Sequence, residues 1–557
     1  MVTFFRQGIV MENISNHDNG YDRLSLLIFL ALGVILAVTC RDYGYSYDEF
    51  WQNRYYGKAV LSFYATLGLD DRATNYLDLY FFGGLYDAIA EALAWLLPLE
   101  GHTTRRMINA LTGFMGLVGA WKTGRHIAGP RAGFWSLLNL ATIPVFYGHM
   151  FINAKDIPVA TGTIWTLYFL IRLAEKPWDV PNSLLLKLGL AMALALGVRI
   201  GSIILVGYAG LALILGLTIQ YRQNPGRYTI LSLIQSASLP RIIGIPLSVA
   251  FGLMALFWPA LLTKPGVLAE AMQSAIHHAW GRSILFKGEY IPATHLPWDY
   301  LPVYIAANLP ELLAVLAIPI LIWSMMASIQ SWRRLEAKLA IGPILLLVAT
   351  LLPPLIVIVN HNVVYDGMRH VLFIVPPFAV LTGMAFASLS QIIERNKSVL
   401  RHGLTATLIF YFMHHLSIMV QLHPYQYTFY NVFSGGIPDA ARRFETDYWL
   451  TSYREAAFKI MARGREIAEK EHVAFADRHF TVSVFFVFNN IQEFLPKNFS
   501  VTDMGKIADP DFIVASSRWN AHRSFPKVPI VDRVERMGMT FAVIRSRLPL
   551  TVSEHSK

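Results

Sequence analysis

The stretch LSLLIFLALGVILAVTCRDYGYSYDEFWQNRYYGKA, Leu24 to Ala59, runs from an unbroken apolar segment into a loop crowded with tyrosines. The apolar half is long enough to cross a bilayer core of roughly 30 Å as a helix. Just beyond it lie two adjacent acids, Asp48 and Glu49, where charge near hydrocarbon is costly. An interfacial aromatic belt with solvated acids explains such a loop in isolation. The rest of the chain decides whether it is more than that.

Ten further apolar runs follow, near residues 107–127, 132–152, 156–173, 184–200, 202–220, 241–262, 303–324, 339–359, 370–389 and 403–421. With 24–40 they predict about eleven transmembrane helices, because only helices and closed barrels satisfy the backbone inside a membrane. Composition agrees: the 557 residues are 54% hydrophobic and only 15% charged, against roughly a quarter in soluble proteins. The single cysteine, Cys40, excludes an intramolecular disulfide and a cysteine-based metal cluster. No cleavable signal peptide is expected, since the first apolar run is too long and lacks a small-residue cleavage site; Met11 is an alternative start.

A net charge of +10 suggests nucleic acid or anionic lipid until the basic residues are placed. They fall in the short connections RHIAGPR (125–131), RLAEKPW (172–178), RQNPGR (222–227), WRRLEAK (332–338) and ERNKSVLRH (394–402). Short basic connections face the cytoplasm. The charge is therefore topological, and a nucleic-acid partner is excluded. The long segments 41–106, 263–302 and 360–369, with the tail from His423, then face outward. Arg105 and Arg106 break this pattern. Segment 77–98 keeps Asp78, Asp87 and Glu91 among apolar residues and is expected to be an interfacial amphipathic helix rather than a span.

The domain reading is a cytoplasmic segment 1–23, a membrane domain 24–422 with extracytoplasmic loops 41–106 and 263–302, and a small soluble α/β domain 423–557. In that tail FETDYWLTSYREAAFKIMARGREIAEK reads as helical, and HFTVSVFFVF, DFIVASS and FAVIRSR read as strands.

Four outward clusters carry chemistry. The first is Asp48-Glu49, flanked by Tyr45, Tyr47, Trp51 and Tyr55, which could stack on a flat ligand or form an interfacial belt. In FYGHMFINAKDIPVATG, Asn153, Lys155 and Asp156 form an outer turn, and Pro158 opens the next helix, whose dipole favours an anion at Asp156. Capping and a snorkelling lysine would explain this turn equally well. In NHNVVYDGMRHVLFIVPP, Tyr365, Asp366, Arg369 and His370 lead into a span; Arg369 and His370 suit a phosphate clamp or a lipid-headgroup anchor. WGRSILFKGEYIPATHLPWDYLPVYIA, with Arg282, Lys287, Glu289, His295 and Asp299, reads as a loop able to shape a groove. Together the acids and cations suit transfer of a sugar from a lipid phosphate carrier: a carboxylate deprotonates an acceptor hydroxyl while cations neutralise the departing phosphate.

The motifs SYDEFWQNRYYGKA, FINAKDIPVATG, YDGMRHVLFIVPP, and HPYQYTFYNVFSGG with DYWLTSYREA resemble membrane glycosyltransferases of the GT-C superfamily. Within it the chain is similar to the bacterial protein O-mannosyltransferases (glycosyltransferase family 39) and the lipid A aminoarabinose transferases, over roughly residues 20–450. The resemblance implies a GT-C fold and a polyprenyl-phosphate sugar donor, usually with inversion at the anomeric carbon. It implies Asp48 as general base with Glu49 beside it, and Asp156 as the second acid. Lys155, Arg369 and His370 would face the donor phosphate, and Tyr45, Tyr47, Trp51, Tyr365 and His295 would line the substrate groove. No obligatory metal is expected, although Asp48, Glu49 and Asp156 can bind a divalent cation if they converge. The soluble part lies C-terminal, and no β-trefoil module sits between spans, so the acceptor stays open among protein, lipid and glycan. The implied location is the inner (plasma) membrane, multi-pass, with the site and tail extracytoplasmic. A transporter or flippase of lipid-linked sugars and a non-catalytic assembly protein are the alternative readings.

Overall fold

A computed structural model describes residues 19–97, 101–224, 238–276, 280–394, 398–486 and 489–548. Most of the expected cytoplasmic segment 1–23, and parts of the basic connections 222–227 and 394–402, lie outside them. All eleven expected runs are helical, though not all as single spans. Eight helices among the described residues are long and apolar enough to cross a membrane. Runs 107–127 and 132–152 fall in Gly101–Ala141, two helices that meet at a kink at Ala128 and at Gly129, whose φ of +87° only glycine adopts without strain. A further helix, Pro144–Ile152, completes run 132–152. Run 303–324 divides at Leu309-Pro310 into Tyr300–Asn308 and Glu311–Arg333, because proline keeps the preceding residue out of helical geometry.

Burial ranks these helices. The first, Asn19–Thr39, turns Leu27, Leu30, Val34 and Val38 outward, as a lipid-facing helix must. Two helices instead form the centre: the apolar stretches of Asp156–Glu175 and Arg369–Glu394 are 83% and 89% buried. The residues that begin them, Asp156 and Arg369, are both site candidates. The far ends are knit by ion pairs Arg125–Asp22 (2.7 Å) and Arg131–Glu394 (2.9 Å) and by a hydrogen bond between His126 and Glu175 (2.6 Å).

Segment 77–98, expected to be an interfacial amphipathic helix, forms the helix Leu85–Leu96, whose polar face turns the other way from a solvated one. Helix Leu85–Leu96 buries Asp87 and Glu91 against Arg105, at 3.5 and 2.8 Å, and exposes Leu93, Trp95 and Leu96. Arg105 is thus an internal partner, and the Arg106 guanidinium lies over the Tyr45 ring at 4.8 Å. Neither is a topological charge, which is why the pair violates the inside-positive pattern.

In loop 263–302 a hairpin, β1 (Ser283–Phe286) and β2 (Glu289–Pro292), turns at Lys287 and Gly288, both at positive φ. Residues 423–452 pack back into the bundle: Asn308 Nδ2 donates to the Phe429 carbonyl and Asn431 Nδ2 to that of Leu309. Helix Tyr453–Lys470 then covers a five-stranded sheet, β3 (Phe480–Val484), β4 (Phe499–Asp503), β5 (Phe512–Ser516), β6 (Ile530–Arg536) and β7 (Met539–Arg545). The order is β4-β3-β5-β7-β6, with β3 parallel to both neighbours and β7 antiparallel to β5 and β6.

Candidate active site at the helix mouths

The short helix Tyr47–Trp51 starts from a capping box: the Glu49 amide donates to Ser46 Oγ, and the Ser46 amide donates back to Glu49 Oε2. Ser46 Oγ also donates to the carbonyl of Ile152, at 2.9 Å, pinning this loop to the end of helix Pro144–Ile152. The next residue, Asn153, builds the turn that follows. Its Oδ1 accepts the amides of Lys155 (3.1 Å) and Asp156 (2.8 Å), and its Nδ2 donates to Asp156 Oδ2. These bonds set Lys155 and Asp156 beside Asp48.

Three cations converge there. Arg369 Nη1 donates to Asp48 Oδ2 at 3.0 Å, and Lys155 Nζ approaches the same oxygen at 3.7 Å. Arg199 pairs with Asp156 at 2.8 Å. The carboxylates and cations are nearly enclosed, the Asp48 side chain remaining 21% exposed and that of Arg369 4%. Burial pushes the Asp48 carboxyl up, but Lys155 and Arg369 outweigh it and hold it at about 2. Burial works against the Lys155 ammonium as well and lowers it, with Asp48 opposing.

Asp366 continues the chain of charge. It sits at φ +57°, a conformation Asp tolerates better than most residues, next to Gly367 at +73°. Its Oδ2 faces Arg369 Nη2 at 3.4 Å and its Oδ1 accepts from Arg518 Nη2 at 2.9 Å. The Arg369 guanidinium also lies over Tyr365 (4.8 Å) and Trp449 (5.1 Å). Tyr365 stacks on Trp280, centroids 4.4 Å apart, and His370 meets Tyr365 edge-on at 4.6 Å.

Asp48, Lys155, Asp156, Arg369, His370 and Tyr365 are therefore brought together. Other expected members are not. Adjacent residues on a helix point about 100° apart. Glu49 thus turns to its capping box and toward Arg106, where burial raises its carboxyl and Arg106 opposes the rise. Tyr45 is buried between Arg106, His102 and Phe494. Trp51 packs on Phe50 and Tyr55, while Tyr47 reaches Phe486. His295 hydrogen-bonds Thr294 and lines a different cavity, of about 280 Å³, with Trp298, His361 and Asn362.

Two residues were missed, Arg199 and Arg518. Arg199 had a signal: an ionisable residue inside an expected span, 184–200, marks function by default. Arg518 had none, lying in the tail far from every motif. Among the described residues no three His, Cys, Asp or Glu side chains are grouped to hold a metal.

Residues 91–240 match the model of the dolichyl-phosphate-mannose-protein mannosyltransferase family. No curated protein sequence matches the chain. Among solved structures, the chain is similar to ArnT from Cupriavidus metallidurans bound to undecaprenyl phosphate, with 13% identity, 93% of this chain and 97% of that one covered, and a TM-score of 0.49. The apo state of the same protein gives 13% identity, coverage of 94% and 98%, and a TM-score of 0.48. An archaeal oligosaccharyltransferase, AglB from Archaeoglobus fulgidus, in complex with an inhibitory peptide and a dolichol-phosphate, gives 11% identity, coverage of 88% and 69%, and 0.44. The segment that carries Asn153, Lys155, Asp156 and Arg199 is thus the one that bears the sequence pattern of the dolichyl-phosphate-mannose-protein mannosyltransferases, in keeping with the motif resemblance to GT-C membrane glycosyltransferases.

Proposed function

We propose that this protein is an integral membrane glycosyltransferase that moves a sugar from a polyprenyl-phosphate donor to an acceptor hydroxyl on the extracytoplasmic face of the inner membrane. One observation carries the proposal: a carboxylate, Asp48, shares its cluster with cations able to take a phosphate in its place. In the transfer, Asp48 accepts the proton of the acceptor hydroxyl as that oxygen attacks the anomeric carbon. The bond from that carbon to the phosphate oxygen breaks, with inversion, and the electron pair leaves with polyprenyl phosphate. Lys155 and Arg369 neutralise the charge that develops on the leaving phosphate.

The clamp gives the base a reason to be weak before the donor arrives. While Arg369 and Lys155 hold Asp48, its affinity for a proton is low. A phosphate that engages the two cations releases it, so base strength rises only when there is a sugar to transfer.

Orientation is supported by helix Asp156–Glu175, in which about 24 Å separate Asp156 in the cluster from Arg172 in a basic connection. A divalent cation is not required in this proposal, since Asp48 and Asp156 already have cationic partners. The test is release of free polyprenyl phosphate from a labelled polyprenyl-phosphate hexose, with a mixed pool of membrane acceptors, with and without chelator. Release by wild type that disappears in Asp48→Asn supports the assignment, and unchanged release in chelator removes the metal. A folded protein that releases nothing from several sugar donors would redirect attention to transport of lipid-linked sugars.

A further inference from the structure

The ion pairs of the site do not stop at the membrane domain. Asp48, Arg369, Asp366 and Arg518 form a continuous alternating chain at 3.0, 3.4 and 2.9 Å. Its last member belongs to the sheet domain, just beyond the fully buried central strand β5. Arg518 is itself buried, its Nη1 donates to the carbonyl of Tyr448, and its guanidinium lies 4.6 Å over the Trp519 ring.

The backbone there is held in an unfavourable shape. Trp519 and Asn520 have φ of +50° and +57°, a region that a bulky aromatic seldom adopts. Trp519 is kept there by its Nε1, which donates to the Ser283 carbonyl at 3.0 Å, and by Phe486 packed edge-on at 4.9 Å. The nearby Glu445 leaves Arg518 to Asp366: its carboxylate accepts the Leu285 amide at 3.0 Å, and burial raises its carboxyl to about 7.

Distances show how Asp366 is shared. Its short bond goes to Arg518 and its longer one to Arg369, so Arg518 absorbs most of the Asp366 charge. Counting the ion-paired groups, Lys155, Arg199, Arg369 and Arg518 face Asp48, Asp156 and Asp366. Four cations against three carboxylates leave the cluster one charge positive. Without Arg518 it would be neutral, and Asp366 would draw Arg369 away from an incoming phosphate.

Resting on the glycosyltransferase function proposed above, we infer that Arg518 of the sheet domain is a positioning residue that keeps the donor-phosphate clamp positive by neutralising Asp366. The C-terminal domain is then an electrostatic part of the site.

The charge count supplies a test that a merely structural arginine would fail. Donor KM and kcat are measured in the detergent-purified full chain for Arg518→Gln, Arg518→Lys, Asp366→Asn and the double variant Arg518→Gln/Asp366→Asn, with thermal midpoints alongside. Arg518→Gln should raise donor KM about tenfold, with kcat within about threefold of wild type. Arg518→Lys should recover most of the loss. The double variant, again one charge positive, should return KM to within about threefold of wild type despite losing both partners of a buried pair. It also remains readable if Arg518→Gln alone fails to fold, because removing both charges leaves neither unpaired. A wild-type KM in Arg518→Gln, or a double variant that binds donor about tenfold more weakly than wild type, overturns the inference while the transferase stands. A wild type that releases no polyprenyl phosphate overturns both.

Discussion

The proposed role of Asp48 as a clamped base makes a specific demand on the pH dependence of the proposed reaction. In the free protein Lys155 and Arg369 hold the Asp48 carboxyl at about 2, against an ordinary 3.8. At 1.36 kcal/mol per unit this is about 2.5 kcal/mol favouring the ionised form. The folded value lies below the unfolded one, so the stabilisation is present above pH 3.8 and lost as pH falls through 2. When a donor phosphate takes over the two cations, burial, which raises the Asp48 pKa, is opposed only by the weaker pull of Arg199. The acid limb of kcat, which reports the bound complex, should therefore lie at least about two units above the limb of kcat/KM, which reports the free enzyme. The assay is initial-rate release of polyprenyl phosphate between pH 3 and 8, at saturating and at low donor, where kcat should fall on the acid side while kcat/KM stays nearly level. Asp48→Asn should lose the limb in kcat and be about 10²- to 10⁴-fold slower. That variant also forfeits up to about 2.5 kcal/mol of stability, so its thermal midpoint must be read beside its rate. Superimposed limbs in wild type, or an Asp48→Asn enzyme within threefold of wild-type kcat, would refute the clamped base.

Three further outcomes follow from the surrounding structure. Burial pushes the Asp87 carboxyl up to about 6, only partly countered by Arg105, so its contribution to stability is present below about pH 4 and lost as pH rises through 6. The thermal midpoint should rise between pH 7.5 and 5, and Asp87→Asn should flatten that rise. Asn153→Leu deprives the Lys155 and Asp156 amides of their acceptor; it should cost about 1–3 kcal/mol per unsatisfied buried group and raise donor KM, as unfolding and initial rates would show. Gly44 has no room for a side chain, since a Cβ there would lie 2.0 Å from the Thr451 carbonyl oxygen. Gly44→Ala should destabilise the protein by about 1–3 kcal/mol, and an unchanged midpoint would mean that the loop and the segment 447–452 are not in contact.

The two strands of the five-stranded sheet missing from the sequence reading, β4 and β6, show where local pattern runs out. Both are sheet edges. The strands that were legible, β3, β5 and β7, are buried along almost their whole length and so read as apolar runs, whereas β6, IVDRVER, buries only Val534. An edge strand is free to carry charge, which erases its signal and also discourages pairing with other chains. The opposite problem arises at Glu49. Adjacency in sequence made it look like the partner of Asp48, yet one step along a helix turned it to a capping box.

By itself the sequence determined the membrane class, the positions of the long apolar helices and most of the acids and cations clustered at one end of them. Each is a local consequence of solvent: twenty apolar residues have no better place than hydrocarbon, and a charge beside hydrocarbon needs a reason. Only the tertiary structure decided which of those charges share a site. Asp48 and Arg369 are separated by most of the membrane domain in sequence, and Arg518 lies in another domain, yet one buried chain of ion pairs joins them. Buried charges are tolerated only when opposite charges reach them, and which partner arrives depends on how helices pack, a property no single stretch of the chain contains.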